Sequence, residues 1–209
     1  MARLIYVMDP MCSWCWGFAP VLQGLAEQAG VQGVQLEWVV GGLRRERAAM
    51  DQSGRARTLS YWQAVQAATG QPFNLVAGLP EGLVYDTEPA CRALVAARGI
   101  DQARVWPLAT LIQQAFYGQG RDVTQPSLLV ELAEAAGIPR GRFAEHYDSQ
   151  EARAATAADF AWVENLGIAG FPTLLAKGGG RLALLTNGYQ PLSVLAPLLE
   201  RWLEHNTHA

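Results

Sequence analysis

Cysteine, histidine and net charge are all scarce in this sequence. Its 209 residues include three cysteines and three histidines, and the formal net charge is −3. Three thiols (Cys12, Cys15 and Cys91) make an odd count, which argues against a framework of structural disulfides. The small charge and the lack of any basic run argue against nucleic acid as a partner. No unbroken apolar run is long enough for a membrane span. The segment from Leu4 to Leu25 is interrupted by Asp9, Pro10 and Pro20, and a charge near mid-membrane costs roughly 2.5–3.5 kcal/mol. A secretory leader needs a basic start and about 7–15 continuous apolar residues. Arg3 alone is basic there, and Asp9 breaks the stretch. The expectation is a mature, soluble, cytoplasmic protein with no membrane partner. Repeats, long linkers and low-complexity tracts are missing as well.

What is present suffices for a folded core: half of the residues are apolar and 17% are charged. "RLIYVM" (Arg3 to Met8) reads as a buried strand. A helical pattern follows through Trp16, Ala19, Leu22, Leu25, Ala26 and Ala29, with Pro20 expected to kink it. "VQLEWVV" (Val34 to Val40) reads as a second strand, ended by Gly41 and Gly42. From about Leu43 to Leu166 no strand is expected. Helical segments are expected near Arg57–Thr69, Glu88–Arg98, Gln102–Tyr117, Ser127–Ala136 and Glu151–Asn165, with a short helix after "GIPRGRF". "FPTLLAK", the turn "GGG" and "RLALLTN" form a hairpin signal, and Pro191 to His205 close the chain as an amphipathic helix. The fold class is thus α/β: a mixed sheet laid out βαβ then ββα, the thioredoxin arrangement. Residues 1–42 and 167–209 supply the thioredoxin-like part, and residues 43–166 form a large α-helical insertion.

The chemistry lies in "YVMDPMCSWCWGF", Tyr6 to Phe18. The thiolate, not the thiol, is the nucleophile. A helix N-terminus or a Cys-x-x-Cys setting can bring a cysteine from a pKa near about 8.5 to about 3.5–7.5. Cys12 falls where unpaired N–H groups and the positive end of a helix converge. Cys15 follows nearly one turn later on the same face. Cys12 is assigned as the exposed attacker and Cys15 as the more buried resolver. Zinc needs about four ligands; His146 is isolated and His205 and His208 lie on the tail, so no metal is expected.

"GIAGFPTLL" places Pro172 at the first position of the third strand of the thioredoxin-like part, an unusual place for proline. A cis bond there would offer the backbone of Phe171 to an extended substrate, although base rates alone favour trans. Trp14 is either an apolar rim for peptide or simple packing; Trp16 is expected in the core. Asp9 could tune the thiolate or merely shape a turn. Glu37 could be a proton acceptor beneath the Cys pair, but a solvated strand face is the preferred reading. Cys91 reads as a small buried thiol, with a third redox partner as the alternative. "RRER" (Arg44 to Arg47) reads as a solvated face.

Together, "DPMCSWCWGF", "GIAGFPT" and the helical insertion resemble the DsbA-like branch of the thioredoxin superfamily, and among its members the signal-less FrnE-type protein disulfide isomerases. The resemblance covers essentially the whole chain. It implies a redox-active dithiol in which Cys12 attacks, Cys15 resolves and Pro172 is cis, facing the pair. No bound cofactor is implied, though glutathione can serve as a co-substrate. The partners implied are protein or low-molecular-weight disulfides; no oligomeric state follows. Ser13 and Trp14 stand where well-known oxidants of this branch carry a histidine, which implies a less oxidising couple. A sister branch holds kappa-class glutathione transferases and 2-hydroxychromene-2-carboxylate isomerases. It typically has serine at the attacking position, which leaves a glutathione-dependent small-molecule activity as the alternative function.

Overall fold

Strand β1 (Arg3–Met8) is buried along almost its whole length. Because side chains alternate across a strand, its two faces need separate cores. Leu4, Tyr6 and Met8 join the large core, and Ile5 and Val7 join a smaller one with Val39, Val163 and Leu175. In the computed structural model, which describes residues 2–206, β1 pairs in parallel with β2 (Gln35–Val40) and antiparallel with β5 (Thr173–Gly178). β5 pairs antiparallel with β6 (Arg181–Asn187), giving the strand order β2-β1-β5-β6. Helix α1 (Ser13–Val31) connects β1 to β2 and packs beside the last helix, α8 (Leu192–Asn206). α7 (Gln150–Asn165) places Val163 in the smaller core on the opposite face. The fold class is the α/β thioredoxin arrangement.

Between β2 and β5 lie α2 (Gln52–Thr69), α3 (Glu88–Ile100), α4 (Val105–Gln113), α5 (Pro126–Ala135), α6 (Arg140–Asp148) and α7. Two features differ from the sequence-based expectation. A two-stranded sheet of β3 (Arg45–Ala49) and β4 (Val84–Asp86) sits in the stretch expected to hold no strand. All five residues of β3 are exposed and β4 has only three, so neither carries a hydrophobic alternation. The helix expected over Gln102–Tyr117 is divided into a 3₁₀ turn (Gln102–Arg104), α4 and a π-helical turn (Gln114–Gly118).

Asp159 of α7 clamps these layers. Its carboxylate receives two hydrogen bonds from Arg98 of α3 at 2.8 and 3.0 Å, and one from the Val40 N–H at 3.1 Å. Arg98 also donates to the Trp38 carbonyl. Among the described residues no helix is long and apolar enough to cross a membrane. His208 lies outside the described residues.

Candidate active site

Sheet register brings distant pieces of chain together. β5 runs antiparallel to β1 with Thr173 opposite Val7, so the residues just before β5 lie beside the loop leaving β1. Phe171–Pro172 therefore meets the Cys pair. The Phe171–Pro172 bond is cis, not the trans form that base rates alone favour, and Pro172 precedes β5 rather than beginning it. The Cys12 thiol donates to the Phe171 carbonyl at 3.5 Å across 159 positions of sequence. The Phe171 ring covers Gly41, where a Cβ would overlap it, so the side chain is anchored and the backbone carbonyl faces the sulfur.

Cys12 is the N-cap of α1 in an extended conformation, and its carbonyl accepts the N–H groups of Cys15 and Trp16 at 3.0 and 3.2 Å. The structure corrects one expectation here. Cys12 is only 5% exposed, against 1% for Cys15, so both thiols are buried. Burial, and after it the hydrogen bond and charge of the Cys12 sulfur, push the Cys15 thiol well above its ordinary range. Tyr6, hydrogen-bonded to Cys15, is likewise held well above the tyrosine range, chiefly by burial. Cys15 is thus a protonated partner.

Asp9 does more than shape a turn. Fully buried, it accepts hydrogen bonds from Met11 N–H (2.8 Å), Leu43 N–H (2.7 Å), the Thr87 hydroxyl (2.6 Å) and the Cys91 thiol (3.4 Å). Its backbone carbonyl receives the Cys12 N–H at 3.0 Å. One carboxyl thereby ties the β1–α1 loop to the chain before β3 and to α3. Burial raises its pKa against the lowering effect of those hydrogen bonds. Cys91 is fully buried, and burial, then the charge of Asp9, push its thiol well above the ordinary range.

Tyr85, on β4, donates to the Met11 carbonyl at 2.6 Å, and Arg44 lies over its ring at 4.7 Å. Arg45 lies over Phe160 at 4.9 Å, so these two arginines of "RRER" stack on aromatic rings rather than form a purely solvated face. Trp16 is core, with its indole N–H donated to the Pro72 carbonyl at 2.9 Å. Trp14 is 36% exposed, with its ring 5.9 Å from that of Tyr189, and so lies at the surface. Glu37 is not beneath the Cys pair. It pairs in register with Ile5, on the face opposite Tyr6, and forms an ion pair with Arg3 at 3.0 Å.

Sequence reasoning missed Tyr6, Thr87, Tyr85 and Tyr117. For Thr87 the signal lay in the helix opening "DTEP", where a polar cap side chain was free to reach elsewhere. The hydroxyls of Tyr85 and Tyr117 had no local signal, because their neighbours come from tertiary packing.

The family model of the DSBA-like thioredoxin domain matches residues 3–200. A candidate protein disulfide isomerase from Nitrosomonas europaea is 41% identical in sequence, with 98% of each chain covered and a TM-score of 0.88. The cytosolic disulfide reductase DsbM from Pseudomonas aeruginosa is 30% identical, over 97% of this chain and 99% of that one, with a TM-score of 0.80. The same reductase solved with GSH superposes with a TM-score of 0.76. The ClpXP adapter protein SpxH of Halalkalibacterium halodurans is 24% identical over 204 residues, 94% of this chain. The chain spans 66% of that relative's length, just under two thirds.

Proposed function

The chain belongs to the DSBA-like thioredoxin domain family and is a DsbA-like thiol–disulfide oxidoreductase, and from that premise we propose that Cys12 and Cys15 are its reacting dithiol. The observation that carries this reading is the Cys12 sulfur at the mouth of α1, 3.5 Å from the Phe171 carbonyl, with Cys15 one turn behind it.

The steps follow from that placement. The Cys12 thiolate attacks one sulfur of a substrate disulfide, forming a mixed disulfide and releasing the other half as a thiolate. Cys15 then loses its proton and attacks the Cys12 sulfur. The Cys12–Cys15 disulfide closes and the second half of the substrate departs, so two electrons have passed to the substrate. The buried, protonated state of Cys15 suits a group that waits for the mixed disulfide. Two external thiols, oxidised to a disulfide, restore the dithiol. Glutathione is the proposed donor, supported by the similarity to a cytosolic disulfide reductase solved with GSH. Phe171 and Pro172 present backbone to the substrate, and Trp14 forms the exposed rim.

The 5% exposure of Cys12 favours slim substrates, a low-molecular-weight disulfide or an extended peptide, over bulky folded proteins. A cytoplasmic setting, with reduction or reshuffling rather than export-compartment oxidation, fits the uncharged Ser13–Trp14 pair and the similarity to DsbM. The test is single-turnover oxidation of the reduced chain by glutathione disulfide, and glutathione-driven reduction of an unfolded disulfide peptide. Cys12→Ser should abolish both, and Cys15→Ser should trap a one-to-one mixed disulfide on Cys12. Turnover that persists in Cys12→Ser would overturn the assignment. Persistence in Cys15→Ser, with tight glutathione binding, would instead favour a glutathione-dependent activity on small molecules.

A further inference from the structure

The "RRER" segment takes no part in the proposed exchange, yet it supplies most of β3, and β3 is unusually open. Each of its five residues is exposed. Among the described residues its one strand neighbour is β4, so the opposite edge of β3 has no ladder partner. A cavity lies on each side of the strand. The first, about 320 Å³, is walled by Arg45 and Arg47 with Thr156 and Phe160 of α7. The second, about 310 Å³, is walled by Ala48 and Met50 with Thr58 and Tyr61 of α2. Successive side chains of a strand point to opposite faces, so each face of β3 opens on its own cavity.

The charges here are unevenly matched. Arg44 and Arg45 lie over the rings of Tyr85 and Phe160. Among the described residues neither they nor Arg47 forms an ion pair. Most carboxylates of the two cavities are already engaged. Glu88 pairs with Arg92 at 2.8 Å, Asp86 accepts the Glu88 N–H at 3.1 Å, and Asp51 caps α2 through the Gly54 N–H at 2.6 Å. Glu46 is left as the one uncommitted carboxylate against three uncompensated guanidiniums. Charge on an edge strand deters indiscriminate pairing. Where one sign prevails, the deterrence is selective. Two copies joined through β3 would set arginine beside arginine, which is destabilising, whereas an acidic strand meets opposite charge.

We infer that the open edge of β3 is a docking site for an extended, acidic segment of a partner polypeptide, added as a third strand to the β3–β4 sheet. Its acidic side chains face Arg45 and Arg47 in the first cavity. The apolar side chains between them face Ala48, Met50 and Tyr61 in the second. This small sheet is tied to the loop that carries Cys12. The Leu43 N–H donates to Asp9 at 2.7 Å, and the Tyr85 hydroxyl donates to the Met11 carbonyl at 2.6 Å. A partner docked on β3 is thereby held on the chain that flanks the Cys pair. Docking needs no cysteine, and so does not rest on the assignment of the reacting thiols.

The experiment measures fluorescence anisotropy of a labelled, cysteine-free peptide that alternates Glu and Val, beside a control that alternates Lys and Val. The acidic peptide should bind at least about tenfold tighter, and less tightly as salt is added. Arg45→Glu combined with Arg47→Glu, both at exposed positions, should reverse the preference. Equal affinity for the two peptides, or a preference unmoved by the double variant, would overturn the inference. N-methylation of every second residue tests the backbone pairing: one frame should abolish binding and the other should leave it, and frames that behave alike would also overturn it. The unmutated chain gives a further check. The acidic peptide should slow amide hydrogen exchange over residues 45–49, and unchanged exchange there would count against docking on β3. A chain that sediments as a dimer, with those amides protected before any peptide is added, would assign the edge to a second copy and sink the proposal.

Discussion

Two buried polar groups of the chain, Asp9 and Tyr117, are treated in opposite ways. Asp9 has four donors converging on its carboxylate from three parts of the chain. Tyr117, by contrast, is fully buried with a hydroxyl that makes no close hydrogen bond, and the Trp62 indole N–H and the Gln113 side-chain NH2 are likewise unpartnered. A saturated carboxylate is structural: it has no capacity left for chemistry, and its value is the loop it holds. An unsatisfied donor is a local cost, about 1–3 kcal/mol of desolvation that no bond repays. The cysteines repeat the contrast. Cys91 is spent on Asp9, while Cys12 and Cys15 face the Phe171 peptide and each other.

The contrast can be broken from its strongest member downward. Asp9→Ala strands the Met11 and Leu43 N–H groups and the Thr87 hydroxyl, and should cost about 3–5 kcal/mol in urea unfolding. A loss below about 1 kcal/mol would mean that the cluster holds nothing. Thr87→Val keeps the shape and removes one 2.6 Å donor, and should cost about 1.5–3 kcal/mol by the same measurement. Cys91→Ala removes a weak 3.4 Å donor and a small buried volume, for about 1 kcal/mol. Gln113→Met, on the unsatisfied side, removes a partnerless amide. It should be neutral or slightly stabilising, and a loss as large as that of Thr87→Val would erase the distinction.

The pH dependence sharpens it further. Burial raises the folded-state pKa of Asp9, so the native chain binds that proton more tightly than the unfolded chain does. The stabilisation is fully present below the ordinary carboxylate value near about 4 and is lost as pH rises through the raised folded value. Wild-type stability measured against Asp9→Asn should therefore decline with pH across that window. A difference that instead grows with pH would mean that the four hydrogen bonds outweigh burial.

The sequence showed β1, β2, the hairpin and most helices because their apolar periods are local and their burial is one- or two-sided. It showed the Cys-x-x-Cys pair at the mouth of a helix for the same reason. β3 was hidden because an exposed, charged strand has no periodicity, and the π turn because its geometry answers to packing around Phe116 and Tyr117 rather than to composition. Asp9 was weighed as a turn residue, since nothing adjacent reveals that Leu43, Thr87 and Cys91 will reach it.

By itself, then, the sequence determined the order of the elements in the thioredoxin-like part, the helix that begins at Cys12, and the two sulfurs one turn apart, all properties of short windows of chain. Tertiary structure alone decided that Phe171 would meet Cys12 across 159 positions, that the Cys12 sulfur would be buried, and which buried polar groups would be satisfied. Those outcomes depend on antiparallel register and on side chains converging from separate elements, and hydrogen bonding between distant groups leaves no periodic trace in either partner's neighbourhood.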